Sequence, residues 1–117
     1  MIEKLGVGID LVDCTQFQKI SYPSKPGFYK KIFLSSEIKY CLKYKNPHIH
    51  FGGKFAIKEA VKKSLELNIP MLHIVTSHSA SKPIVSLTGK LQKQYAFQVS
   101  LSHENDMAVA VVISEKY

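Results

Sequence analysis

Two carboxylates and a lysine offer the most direct chemistry in this chain. Asp10 interrupts the apolar run Leu5-Gly-Val-Gly-Ile-Asp-Leu-Val12. Burying an unpaired carboxylate there costs several kcal/mol, so a cation, a hydrogen-bond donor or solvent must lie beside it. Glu59 and Lys63 stand four residues apart, one helical turn. On a surface, such a pair contributes only about 0.3–0.5 kcal/mol. The same placement lets Glu59 join Asp10 as hard oxygen ligands for Mg²⁺, because one or two carboxylates plus substrate phosphates are the usual way to hold that ion. Lys63 would then stand near phosphate or near a reacting hydroxyl. His103 closes the alternating row Phe97, Val99, Leu101 and suits a hairpin mouth, as a turn residue or as a ligand-facing one. His48-x-His50 would form a metal pair on a strand, but it follows Pro47 in loop-like sequence and has no evident third ligand for zinc.

These residues need elements to hold them. Residues 5–12 alternate with period two and predict a strand. Its aliphatic row, Leu5, Val7, Ile9 and Leu11, is expected to face the core. Asp10 then shares the other face with two glycines that permit close approach of a backbone or ligand. A short helix over residues 13–20, a loop over 21–27, and a helix from Ser35 or Ser36 to about Tyr44 follow, the last ended by Asn46-Pro47. A stronger helix covers residues 53–67, burying Ala56, Ile57, Ala60, Val61 and Leu65. Phe55, Glu59, Lys62 and Lys63 fall on its neighbouring stripe. Strands are expected over residues 71–76 and 83–87, joined by a polar turn. A final antiparallel hairpin pairs the Phe97–Leu101 row with residues 107–113, whose nearly continuous apolar character predicts burial on both faces. The class is α+β, with helices inserted before a mainly antiparallel sheet.

The 117 residues suit a single domain spanning 1–117. At 45% apolar and 21% charged residues, the chain can build a core, which excludes disordered and low-complexity classes. No apolar run approaches the roughly 18–20 residues needed to span a bilayer, and the first residues lack a secretory core, so a membrane is not expected as partner. Cys14 and Cys41 form no close pair and read as reduced thiols of a cytoplasmic protein. The net charge of +7 comes from 16 lysines and no arginine. It calls for an anionic partner, while the missing arginine removes the usual reader of guanine edges and argues against nucleic acid.

In this order, the motifs resemble the holo-acyl-carrier-protein synthase family of 4′-phosphopantetheinyl transferases. Gly6-Val-Gly-Ile-Asp10 is similar to that family's opening strand with its metal-binding aspartate. Gly53-Lys-Phe-Ala-Ile-Lys-Glu59-Ala-Val-Lys-Lys63 resembles its long signature helix. Lys82-Pro83 resembles the Gly-Lys-Pro turn, and Val99-Ser-Leu-Ser-His103 the closing Ser-His hairpin. The resemblance implies Mg²⁺-dependent transfer of 4′-phosphopantetheine from coenzyme A to a serine of an acidic apo acyl carrier protein, releasing adenosine 3′,5′-bisphosphate. It implies Asp10 and Glu59 as metal ligands, and Asp10, Glu59 and Lys63 as the catalytic set. Lys54, Lys58, Lys62, Lys82, Pro83 and His103 become the coenzyme A contacts. The serine proton would pass to Lys63, a carboxylate or a bound water. A homotrimer with sites between subunits is implied, as is a role in fatty acid biosynthesis. Lysines 19, 25, 30 and 31 can present a positive face to the carrier.

The chain departs from the family pattern in several places. Lys54 stands for the usual arginine and lacks its bidentate fork. Gln16 falls at one further arginine position and another aligns near Asn46, while Glu66-Leu67-Asn68 replaces a glycine-rich turn. Two other readings are compatible with these residues: a non-catalytic carrier-binding member of the same fold, and a small basic nucleic-acid-binding domain using Tyr22, Phe28, Tyr29, Tyr40 and Tyr44.

Overall fold

A computed structural model describes residues 2–117. Alternation in the first segment produces β1 (Leu5–Asp13), followed by two short helices, α1 (Gln16–Lys19) and α2 (Pro26–Lys30). Then come α3 (Ser35–Leu42) and the long α4 (Pro47–Leu65). Strands β2 (Ile74–Ser79) and β3 (Lys82–Leu87) form a separate antiparallel hairpin. β4 (Tyr95–Glu104) and β5 (Met107–Lys116) pair antiparallel, and β1 adds to β5, giving the sheet order β1-β5-β4. This is the α+β class with antiparallel sheets.

Helix α4 begins six residues earlier than its apolar stripe predicts. Pro47 does not merely end α3; it starts α4, where a fixed φ and a missing N–H cost nothing. His48 and His50 therefore lie in a helical turn, where residues two apart point to different sides. His48 pairs with Asp106 at 3.3 Å, while His50 stacks on Tyr44 at 3.8 Å. The possible zinc pair is thus dismantled.

The largest correction concerns β1. Leu5, Val7, Ile9 and Leu11 face outward, with Val7 67% and Leu11 66% exposed. The opposite face is the packed one, because α4 lies directly on Gly6 and Gly8. A β-carbon on Gly8 would collide with the Ala60 carbonyl, and one on Gly6 with that of Ser64. Only hydrogen at these two positions lets helix and strand backbones meet. Period two specifies alternation but not which face is covered. β5 follows suit: Ala108, Ala110, Val112 and Ser114 are buried under α4, whereas Val111 and Ile113 are exposed rather than buried on both faces.

The remaining core joins an aromatic cluster to aliphatic residues such as Ile38, Ile69, Ile74 and Leu87. Phe17, Tyr29, Phe33 and Phe51 interlock, with Tyr29 and Phe51 ring centres 4.7 Å apart. The Tyr29 hydroxyl donates within this cluster to the Phe17 and Ile20 carbonyls.

At the end of α4, Glu66 adopts a left-handed conformation with φ of +54° and returns its N–H to the Lys62 carbonyl. A β-carbon is strained there, by roughly 1–2 kcal/mol. Glu66→Gly is expected to raise stability by about 1 kcal/mol, read as a melting temperature a few degrees higher. An unchanged or lower value would show that the glutamate side chain offsets the strain.

Candidate active site

The glycine face of β1 sets the geometry. Asp10 follows Gly6 and Gly8 at two-residue spacing, so it shares the side that α4 covers. Lys63 reaches across from the last turns of the helix. Its ammonium donates to Asp10 Oδ1 at 2.9 Å and to the Ile9 carbonyl at 3.0 Å. The Asp10 side chain is 15% exposed and that of Lys63 54%. The cation required beside Asp10 is therefore Lys63. The i, i+4 ion pair of Glu59 with Lys63 does not form, because the lysine goes to the strand instead. Glu59 stands half-buried one turn before Lys63 on the same side of α4. Glu59 thus lies one helical turn from the lysine that Asp10 holds.

Among the described residues, no group of three or more His, Cys, Asp or Glu side chains gathers to hold an ion. Asp10 and Glu59 supply two hard oxygen donors without a closed cage. That donor set fits Mg²⁺, which keeps waters and takes remaining ligands from phosphates, and does not fit a structural zinc.

A second locus lies between α3, α4 and the β2–β3 hairpin. A small cleft there is lined by Lys54, Pro83 and His103 with Tyr40, His50 and His78. The end of β4 comes close because residue 53 is glycine: a β-carbon there would stand 3.2 Å from His103 Nε2. That nitrogen is also 3.2 Å from the Ile49 carbonyl oxygen. Burial holds His50 and His78 below the usual histidine range, with nearby cations adding to the effect. Three residues expected to contact coenzyme A, namely Lys54, Pro83 and His103, thus meet in one cleft. Lys62 is half-buried and Lys82 exposed at the start of β3, and both lie outside it.

Lys58 requires correction. Expected among the phosphate-contacting lysines, it is fully buried and points into the protein. Its three donors go to Glu37 Oε1 at 2.7 Å, the Ile32 carbonyl at 2.8 Å and the Met71 carbonyl at 3.1 Å. It has no hydrogen left for a phosphate. Burial pushes its pKa down, opposed by the Glu37 hydrogen bond and charge.

Glu37, Thr76 and His78 escaped the sequence reading as site residues, while His50 and Tyr40 were weighed only for other roles, as half of a metal pair and as a nucleic-acid-binding aromatic. Glu37 stands in the first turn of α3, where an acid is favourable. It does accept the Leu34 N–H at 2.7 Å there, but it is 1% exposed and also binds both the N–H and the hydroxyl of Thr76. Nothing local in the sequence distinguishes such a glutamate from a surface cap.

The Asp10–Lys63 pair on the strand and a separate cleft lined by the buried Lys54 ammonium are the two candidate loci. Comparison with known proteins gives the lineage. Residues 6–112 match the model of the 4′-phosphopantetheinyl transferase superfamily. A holo-[acyl-carrier-protein] synthase of Syntrophus aciditrophicus is 40% identical over 121 aligned positions, covering 94% of each chain. One from Thermodesulfovibrio yellowstonii is 36% identical, covering 97% of this chain and 98% of that one. The crystal structure of Helicobacter pylori holo-[acyl-carrier-protein] synthase in complex with coenzyme A superposes with a TM-score of 0.81 at 30% identity, covering 93% of this chain and 99% of that one. The chain belongs to the 4′-phosphopantetheinyl transferase superfamily.

Proposed function

We propose that this chain is a holo-acyl-carrier-protein synthase, transferring 4′-phosphopantetheine from coenzyme A to a serine hydroxyl of an apo acyl carrier protein and releasing adenosine 3′,5′-bisphosphate. The observation that carries the reading is the Asp10–Lys63 pair where α4 packs on β1, with Glu59 one helical turn before that lysine. A binding module has no need of that arrangement, which counts against a non-catalytic relative; the lysine-only surface and family membership count against a nucleic-acid domain.

Asp10 and Glu59 are the residues that would hold Mg²⁺, and the ion would neutralise charge on the coenzyme A diphosphate. Lys63 adds positive charge at the same place and orients Asp10. While its ammonium donates to Asp10 and Ile9, it has no lone pair to accept the serine proton, so in this arrangement it acts electrostatically and not as a base. Lys54, with Pro83 and His103 beside it, supplies a cationic wall for nucleotide phosphate. The lysine-rich surface suits an acidic carrier and speeds encounter with it. Two buried, unbridged cysteines agree with a reducing cytoplasmic setting. No helix among the described residues is long and apolar enough to cross a membrane. The test is to incubate the protein with coenzyme A, Mg²⁺ and an apo carrier protein and weigh the carrier. Gain of the phosphopantetheine mass supports the reading; carrier binding without mass gain moves it to the non-catalytic alternative.

The outward sheet face supports a homotrimer. Cross-strand neighbours Val7 and Ile113, Ile9 and Val111, and Leu11 and Val109 build a continuous apolar surface, of the kind that marks an interface. Val7→Lys with Ile9→Lys is expected to convert a trimer in sedimentation equilibrium into monomers. A wild-type chain that sediments as a monomer at micromolar concentration would remove the trimer.

A further inference from the structure

Lys54 and Lys58 are one helical turn apart, yet their surroundings differ. Lys58 spends every donor on protein acceptors. Lys54 is only 4% exposed, and its single hydrogen bond runs to Thr76 Oγ1 at 3.0 Å. Its charge rests over the Tyr40 ring, 4.6 Å from the centre. An ammonium has three donors, so two remain for a ligand. A buried cation with unspent donors is costly unless something anionic completes it. The clefts that Lys54 lines carry histidines, Ser36, Ser77 and Tyr40, and no carboxylate that would repel an anion.

Thr76 determines where that charge sits. Its hydroxyl gives its one hydrogen to Glu37 Oε2 at 2.6 Å, leaving only lone pairs to receive Lys54. Donation to a carboxylate polarises the hydroxyl oxygen and strengthens its acceptance from the ammonium. Glu37 makes no direct bond to Lys54, since its oxygens are taken by Leu34, Lys58 and Thr76. Among the described residues, the threonine is the one hydrogen-bonded link between this carboxylate and that lysine.

We propose that Thr76 is a positioning residue for substrate. By coupling Lys54 to Glu37, it holds the two remaining ammonium donors toward the cleft, where they take phosphate oxygens of the nucleotide donor. The inference rests on the assignment of Lys54 to coenzyme A. Thr76→Val keeps the shape and strand preference while removing the relay. It is expected to weaken coenzyme A binding in titration calorimetry about tenfold, as for loss of a hydrogen bond to a charged group. KM should rise in proportion with kcat changed less than about threefold, the pattern of lost uniform binding. Thr76→Ser should restore affinity to within about threefold, because it restores the hydroxyl. Thr76→Ala is a second variant should the valine not fold.

Lys54→Met separates the inference from its parent reading. If that variant weakens coenzyme A binding and folded Thr76→Val or Thr76→Ala does not, Thr76 has no positioning role. If Lys54→Met itself leaves affinity unchanged, the placement of Lys54 on phosphate fails as well. Unfolding of both threonine variants assigns the hydroxyl to stability alone and also overturns the proposal.

Discussion

Asp10→Ala is expected to leave an apo carrier protein at its unmodified mass under conditions in which the native chain converts it fully. The loss of turnover should be at least about 10²–10³-fold, the scale for removing a group that stabilises developing charge. Glu59→Ala should behave alike, because the two carboxylates would hold the same ion. Stability should hardly move. Asp10 has one ion-pair partner, Lys63, whose side chain is more than half exposed, and such pairs contribute about 0–1 kcal/mol. Glu59 takes no part in an ion pair among the described residues. The decisive result is the separation: turnover abolished at a nearly unchanged melting temperature. Normal turnover in Asp10→Ala would remove the metal assignment, and with it the catalytic reading of this site.

Much of this site was legible because local spacing sufficed. The i, i+4 relation of Glu59 and Lys63 survives any packing of the helix, and Asp10 stands out against its aliphatic neighbours. The two glycines before it forecast close backbone approach. What period two left open was the side on which this happened, and the aliphatic row was assigned to the core when the glycines were. A row of Leu, Val, Ile and Leu on a strand buries against something, and in this chain it is left facing outward for want of a second layer. Lys58 was illegible for a different reason. Its partners, Glu37, Ile32 and Met71, lie 13 to 26 residues away, and no periodicity reports a carbonyl or a carboxylate brought over by tertiary folding. Four lysines in the same helix looked alike as charges: one is saturated, one uses a single donor and lies over a ring, one binds the strand and one is half-buried without a marked partner.

That saturated lysine carries the second large prediction. Lys58→Met should cost about 3–5 kcal/mol, the scale for removing one partner of a buried ion pair. The cost arises less from lost attraction than from what remains: Glu37 would be left without its cation at zero side-chain exposure, with the Ile32 and Met71 carbonyls losing their donor. A domain of this size has about 5–15 kcal/mol in total, so the variant should melt more than about 10 °C lower. Glu37→Gln should also destabilise, since it strands the Lys58 ammonium and replaces an acceptor with an amide. The double variant Glu37→Gln with Lys58→Met leaves no unpaired charge between them and should lose clearly less than the two single losses added together, which a double-mutant cycle in urea measures. Additive losses would mean that the two groups do not depend on one another, contrary to their 2.7 Å contact. Because Glu37 also holds Thr76, and Thr76 holds Lys54, the double variant should bind coenzyme A more weakly than its stability alone explains, whereas Lys58→Met that still folds should bind it nearly as well as the native chain. That contrast distinguishes the carboxylate, which faces both the core and the cleft, from the lysine, which faces the core alone.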